Sequence, residues 1–214
     1  IGDVVINSVT PFNSVYGDTV TIKGMVNHPT GGLIPKGTVK LTLDNLQNTS
    51  DVDANGEFTI TIAGARPGSY SEVTNAQYIP SADEKNYVSA SPKSVSFDKI
   101  NVIKFASSVV DLKLVDPAYY YNGRVTVTGN VVGLEGTKPT GKVKLYMDGD
   151  DTNVAGEYTL DGVNDKFSIT VTGLTVGEHY FTAYYEGDNY YINSESNTAK
   201  FTVEPVIVKF TDVI

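Results

Sequence analysis

Most of this chain is written twice. Tyr16-Gly17-Asp18-Thr19-Val20-Thr21-Ile22-Lys23-Gly24-Met25-Val26 lines up with Tyr121-Asn122-Gly123-Arg124-Val125-Thr126-Val127-Thr128-Gly129-Asn130-Val131 at an offset of 105 residues. Pro35 to Leu41 returns as Pro139 to Leu145 at an offset of 104, and Phe58 to Gly64 as Phe167 to Gly173 at 109. Asn86-Tyr87 returns as Asn189-Tyr190 at 103. The order is kept, and loop insertions are expected to absorb the drift. Self-similarity at one period marks a repeat architecture. The 214 residues therefore divide into repeat 1 at 1–103 and repeat 2 at 104–206. Either copy is long enough to bury its own core. Val102-Ile103-Lys104-Phe105 also recurs as Ile207-Val208-Lys209-Phe210, so 207–214 reads as a linker or the start of a third repeat. The expectation is a segment of a longer array.

The local pattern decides the fold class. Val20, Ile22, Gly24 and Val26 alternate with polar or long residues, as do Val39, Leu41 and Leu43, and Phe58, Ile60 and Ile62. The second copy repeats this with Val125, Val127 and Val131, then Val143, Leu145 and Met147, then Phe167, Ile169 and Val171. A period of two with one apolar face describes antiparallel strands half-buried in a sheet. The 28 Val and 23 Thr suit that surface. Turn signals fall between the runs: Asn55-Gly56, Pro67-Gly68, Asp148-Gly149, Asn164-Asp165 and Gly187-Asp188-Asn189. The expected fold is all-β, two tandem Ig-like antiparallel β-sandwich domains of about seven strands each. With no Cys and no Trp, the inter-sheet disulfide and core Trp of antibody domains are excluded. A tyrosine corner is expected at Tyr180. Asp98 to Lys104 lacks Gly and Pro and reads as a stiff, strand-like linker.

Tyr121 to Val131, Lys138 to Gly149 and Leu174 to Tyr191 together resemble the bacterial Ig-like (Big) repeats. The resemblance runs nearly end to end in the second copy. The first copy departs from it where Tyr78 to Tyr87 replaces the short Gly-Asp-Asn turn. Such repeats recur in large surface and adhesin-like proteins of bacteria and methanogenic archaea. The resemblance implies an extracellular, cell-surface location, a modular stalk or adhesive role, and no catalysis.

The candidate sites are few. Asp148, Asp150, Asp151 and Asn153 crowd oxygen-bearing side chains into one turn, which is what Ca²⁺ requires. The EF-hand pattern fails there, because the twelfth position is Thr159, and a solvated hairpin turn is the simpler reading. No other cofactor is implied. Ten of the 14 tyrosines follow residue 105, Tyr119 among them. Consecutive pairs must point to opposite faces of a sheet, so Tyr146, Tyr184 and Tyr190 are the candidate ligand-binding residues. An internal isopeptide bond would join Lys113 to Asn197. Asn48-Thr49-Ser50 is a glycosylation sequon expected in a loop. His28 and His179 read as structural or exposed.

Charge and composition exclude other classes. Residues 1–105 hold 10 acidic and 8 basic side chains, and 106–214 hold 15 and 8, within a net charge of −9. That balance argues against nucleic acid. No apolar run reaches the length of a membrane span, so no membrane insertion is expected within this stretch. Zero Cys removes thiolate metal sites and cysteine nucleophiles. No Gly-x-Ser-x-Gly, His-Glu-x-x-His or phosphate-binding loop occurs. The expected role is a non-catalytic stalk or adhesin repeat that spaces or presents a binding region. Its partners would be neighbouring repeats, and a host or cell-wall glycan or protein. The alternatives are a carbohydrate- or protein-binding module using tyrosines of the second domain, or accessory domains of a larger secreted enzyme.

Overall fold

Alternation of β-branched and polar residues gives every long strand one face to bury. A computed structural model describes residues 3–28, 30–34, 36–84, 87–115 and 120–209. Pro35, Asn86 and Phe210 of the repeat comparison, and Tyr119 of the tyrosine-rich half, lie outside the described residues. The chain forms two compact units, Ile1–Lys104 and Phe105–Ile214. Among the described residues the elements are strands, with no helix.

In the first unit β1 (Asp3–Thr10), β3 (Thr19–Asn27) and β6 (Glu57–Ala63) form one sheet in the order β1-β3-β6. The second sheet is β2-β8-β7-β4-β5, from β2 (Asn13–Val15), β4 (Gly37–Leu43), β5 (Leu46–Asp51), β7 (Gly68–Pro80) and β8 (Lys93–Ile103). Val20, Ile22, Val26, Phe58, Ile60 and Ile62 of the first sheet and Val39, Leu41, Leu43, Val73, Tyr78 and Ile100 of the second belong to one buried cluster. Two sheets sharing one core make a sandwich.

The second unit repeats the plan. One sheet is β13-β10-β9, from β9 (Ser108–Val115), β10 (Arg124–Val132) and β13 (Lys166–Thr172). The other is β12-β11-β14-β15 with β16 also on β14, from β11 (Thr140–Met147), β12 (Val154–Asp161), β14 (Gly177–Tyr185), β15 (Ser194–Glu195) and β16 (Ala199–Val203). Val125, Val127, Phe167, Ile169, Val143, Leu145, Phe181 and Tyr185 are buried.

Three expectations need correction. The sheets are not wholly antiparallel. β2 pairs with β8 in parallel, and the bridges Tyr120–Glu204 and Phe105–Tyr191 are parallel as well. The segment from Asp98 is no linker, because β8 runs to Ile103 inside the first unit and Ile100 and Val102 are core residues. Nor is the drift between copies confined to loops. By pairing, Tyr70 corresponds to His179 (offset 109), but Tyr78 corresponds to Tyr185 (offset 107). The two extra residues of the first copy sit within β7, at register shifts between Tyr70 and Glu72 and between Val73 and Ala76. Asn75 takes a left-handed φ of 52° there. A β-bulge accommodates such an extra residue at the cost of a local kink.

Candidate functional site

The outer face of the second unit's larger sheet collects the candidate tyrosines. Along β11, Val143 and Leu145 point inward, so Lys144 and Tyr146 face out. Along β14, Phe181, Ala183 and Tyr185 are buried, leaving Tyr180, Thr182 and Tyr184 on the outer side. Tyr146 is paired across the ladder with Thr182, Lys144 with Tyr184, and Tyr184 with Glu195 of β15. Tyr146, Thr182 and Tyr184, with Gly149, Asp151 and Glu195, line a groove of about 500 Å³. Asn193 Nδ2 donates to the Tyr184 hydroxyl and holds that ring at the rim. Tyr190 does not join them. It lies half-buried, its backbone N–H donating to Asp188 Oδ1 at 2.7 Å.

The acidic turn is organised by its own backbone. Asp148, at φ 55°, donates its N–H to the Tyr180 carbonyl at 3.0 Å. Its Oδ1 accepts from the Tyr180 N–H at 3.0 Å, and its Oδ2 lies 2.6 Å from His179 Nδ1. Asp150 Oδ1 accepts from the Thr152 N–H at 3.0 Å and hydroxyl at 2.6 Å, and these bonds hold its carboxyl below the usual range. Asp151 and Asn153 are exposed, and Asp151 belongs to the groove wall. Two of the four carboxylate and amide groups proposed for calcium are thus already engaged in shaping the turn. Among the described residues no three His, Cys, Asp or Glu side chains come together around a metal position.

The corner expected at Tyr180 lies one residue earlier. In the first unit the Tyr70 hydroxyl donates to the Arg66 carbonyl at 2.7 Å, four residues back, as a tyrosine corner does. The equivalent residue of the second unit is His179, whose Nε2 lies 2.9 Å from the Thr175 carbonyl, again four residues back. Asp44 and Asp148 are equivalent too, each with a left-handed φ after an equivalent strand. Asp44 is gripped by the Arg66 guanidinium, whose Nε lies 2.8 Å from Oδ2. The Arg66 side chain lowers the Asp44 carboxyl pKa.

The Gly-Asp-Asn turn of the second copy is tied by Asp188. Its Oδ2 accepts from the Thr140 N–H and hydroxyl, both at 2.8 Å, and its Oδ1 from the N–H groups of Tyr190 and Tyr191. Burial works against ionisation there, but those donors carry the net shift of the carboxyl downward. Tyr185 donates its hydroxyl to the Thr140 carbonyl at 2.7 Å, and burial pushes its phenol pKa well up. In the divergent first copy Glu84 plays the reduced part, accepting from the Lys36 N–H at 3.3 Å.

Two other expectations fail. Lys113 and Asn197 are both exposed, on β9 and in the β15–β16 connection, which is no setting for a shielded isopeptide bond. Asn48 lies in β5 rather than a loop, and its Nδ2 donates to the Thr61 carbonyl at 2.8 Å. A groove of about 640 Å³ in the first unit is lined by Leu33, Ile34, Val52, Ile79 and Pro80 among others and carries none of the candidate residues.

Residues 112–204 match the bacterial Ig-like domain (group 3) family. No curated protein matches the chain. Among solved structures, the chain is similar to a 1.5-MDa bacterial ice-binding adhesin. The identity is 17% and the TM-score 0.34, over 96% of this chain and 64% of that one. It is similar to the D0-D1 domain of intimin at 15% identity and TM-score 0.33, over 94% of this chain and all of that one. A Ca²⁺-stabilised adhesin of an ice-binding Antarctic bacterium shows 20% identity and TM-score 0.34, over 96% of this chain and 49% of that one. The chain therefore spans less than two thirds of the length of both ice-binding adhesin structures.

Proposed function

We propose that this chain is a non-catalytic pair of repeats from an extracellular adhesin-like protein, acting as a stalk that spaces or presents a binding region at the cell surface. One observation carries the reading: the same sandwich is built twice, each copy with its own core, with only Lys104 between the end of β8 and the first bridge of the second unit. Antiparallel ladders fastened at corner and turn suit a module that bears load. The test is single-molecule extension of the full chain. Two separate unfolding steps are expected, each releasing roughly 30–35 nm of contour length for a unit of about 100 residues. A single step would overturn the modular reading. Surface labelling of intact cells making the parent protein tests location, and a purely internal signal would refute it.

A second reading, a carbohydrate- or protein-binding module, is favoured by the Tyr146–Tyr184 groove. Tyrosine rings supply large amphipathic contact area, and Asp151 and Glu195 supply acceptors. Under this reading, glycan or protein capture by the full chain is lost in Tyr184→Ala and Tyr146→Ala and kept in Tyr121→Ala. Equal capture by all three variants would dismiss the groove.

A further inference from the structure

We propose that His179 is a pH-operated latch of the second unit: as the imidazolium it ties the turn beginning at Asp148 to the segment before β14, and as the neutral ring it can keep only one of those ties. The argument is one of donors and acceptors. Nδ1 lies 2.6 Å from the Asp148 carboxylate and Nε2 lies 2.9 Å from the Thr175 carbonyl. Both partners are acceptors, and a neutral imidazole has a single N–H. Only the doubly protonated ring donates to both. The Thr175 hydroxyl, 3.3 Å from Nε2, is the longer contact. His28 shows the opposite arrangement: its Nδ1 faces the N–H groups of Thr30 and Gly32 and serves as acceptor.

The surroundings leave Asp148 in charge. The turn after β11 presents that carboxylate, and the loop before β14 presents Thr175 with no charge. From β16 comes Phe201, paired with His179 and with its ring centroid 5.6 Å away. Lys200 and Thr202 of β16, and Glu178 and Tyr180 of β14, fall on the alternate side of their strands. The imidazole side chain is only 10% exposed. The hydrogen bond to Asp148 raises the His179 pKa against an opposing effect of burial, and the Thr175 carbonyl adds to the rise. A histidine whose folded pKa lies above its unfolded value stabilises fully below the unfolded value. That stabilisation is lost as pH rises through the folded pKa. The latch is thus closed near pH 6 and opens on the alkaline side. Its counterpart in the first unit uses Arg66, which stays charged throughout. The turn that Asp148 opens stays tied to Tyr180 by two backbone-linked bonds, so opening the latch loosens it without freeing it; it carries Gly149 and Asp151 of the tyrosine groove.

The test is an NMR titration of the full chain, which has two histidines to follow. One ring, assigned to His179 by its loss in His179→Gln, is expected to carry protons on both nitrogens at pH 6 and to titrate above the ordinary value of about 6.5. In Asp148→Asn that midpoint falls. Amide exchange in the Asp148–Asn153 turn, corrected for intrinsic rates, becomes faster between pH 6 and 9 in the wild type. The same change is absent in His179→Gln. A wild-type midpoint at or below the ordinary value would overturn the latch without any variant having to fold. So would an unchanged pH response in folded His179→Gln.

Discussion

Gly24 and Gly129 show how much a single residue type can constrain a repeat. Each lies in the middle of its sheet, paired with Phe58 and Phe167 respectively, opposite a bulge in the edge strand. A Cβ on Gly24 would come within 2.5 Å of Phe58 Cζ and against the Val5 carbonyl. On Gly129 it would meet Phe167 Cζ at 2.6 Å and the Val110 carbonyl at 3.2 Å. The glycine is kept so that a phenylalanine can lie across the backbone. Gly24→Ala is expected to cost its unit about 2–3 kcal/mol through overpacking, read as a lower urea midpoint with unchanged slope. Ser14 offers the opposite case. It is 4% exposed, and its hydroxyl has no hydrogen-bond partner among the described residues. Ser14→Ala should raise stability by about 0.5–1 kcal/mol, because an unsatisfied buried hydroxyl is removed. A loss of stability by the same measurement would mean that the hydroxyl has a partner.

At the scale of elements, what was legible in the sequence was whatever depends on neighbours along the chain. The alternation over Val20–Val26 and Val125–Val131 names the buried faces correctly. Tyr184-Tyr185 split as a pleat demands, the second being buried, whereas Tyr190-Tyr191 lie in the turn between β14 and β15, where burial of Tyr191 has no pleat behind it. What local pattern leaves hidden depends on backbone geometry or on partners distant in sequence. A tyrosine is the sequence sign of a corner, but the corner is defined by a backbone position, which His179 fills in the second unit. The Asp148–His179 pair spans 31 residues and depends on the β11–β14 register, which no local pattern reveals. Loops accept insertions cheaply, so the drift in offset reads as theirs, yet a bulge lets β7 take the extra residues. The same long-range logic predicts unequal turns. Asp188→Ala strands the donors of Thr140, Tyr190 and Tyr191 and is expected to cost about 1–3 kcal/mol. Glu84→Ala loses one acceptor of a single 3.3 Å bond and should cost well under half as much in the same denaturation experiment.

For the molecule as a whole, the two units differ less in architecture than in charge. Both have two sheets, a corner, an aspartate with left-handed φ and a glycine under a phenylalanine. The first half is nearly balanced, and residues 106–214 carry 15 acidic against 8 basic side chains. Like charges spread over one small sandwich repel each other in the folded state, and unfolding relieves that repulsion. Salt weakens it, the Debye length falling from about 30 Å at 0.01 M to about 10 Å at 0.1 M. The second unit's ion pairs, such as Lys138–Asp165 and Lys142–Glu157, are substantially exposed, so their screening costs little in return. Raising NaCl through that range at constant pH is therefore expected to lift the unfolding midpoint of the second unit more than that of the first. Residue-resolved NMR during urea titration of the full chain would follow each unit separately. Equal shifts would mean that surface pairing, and not net charge, governs the electrostatic difference between the repeats.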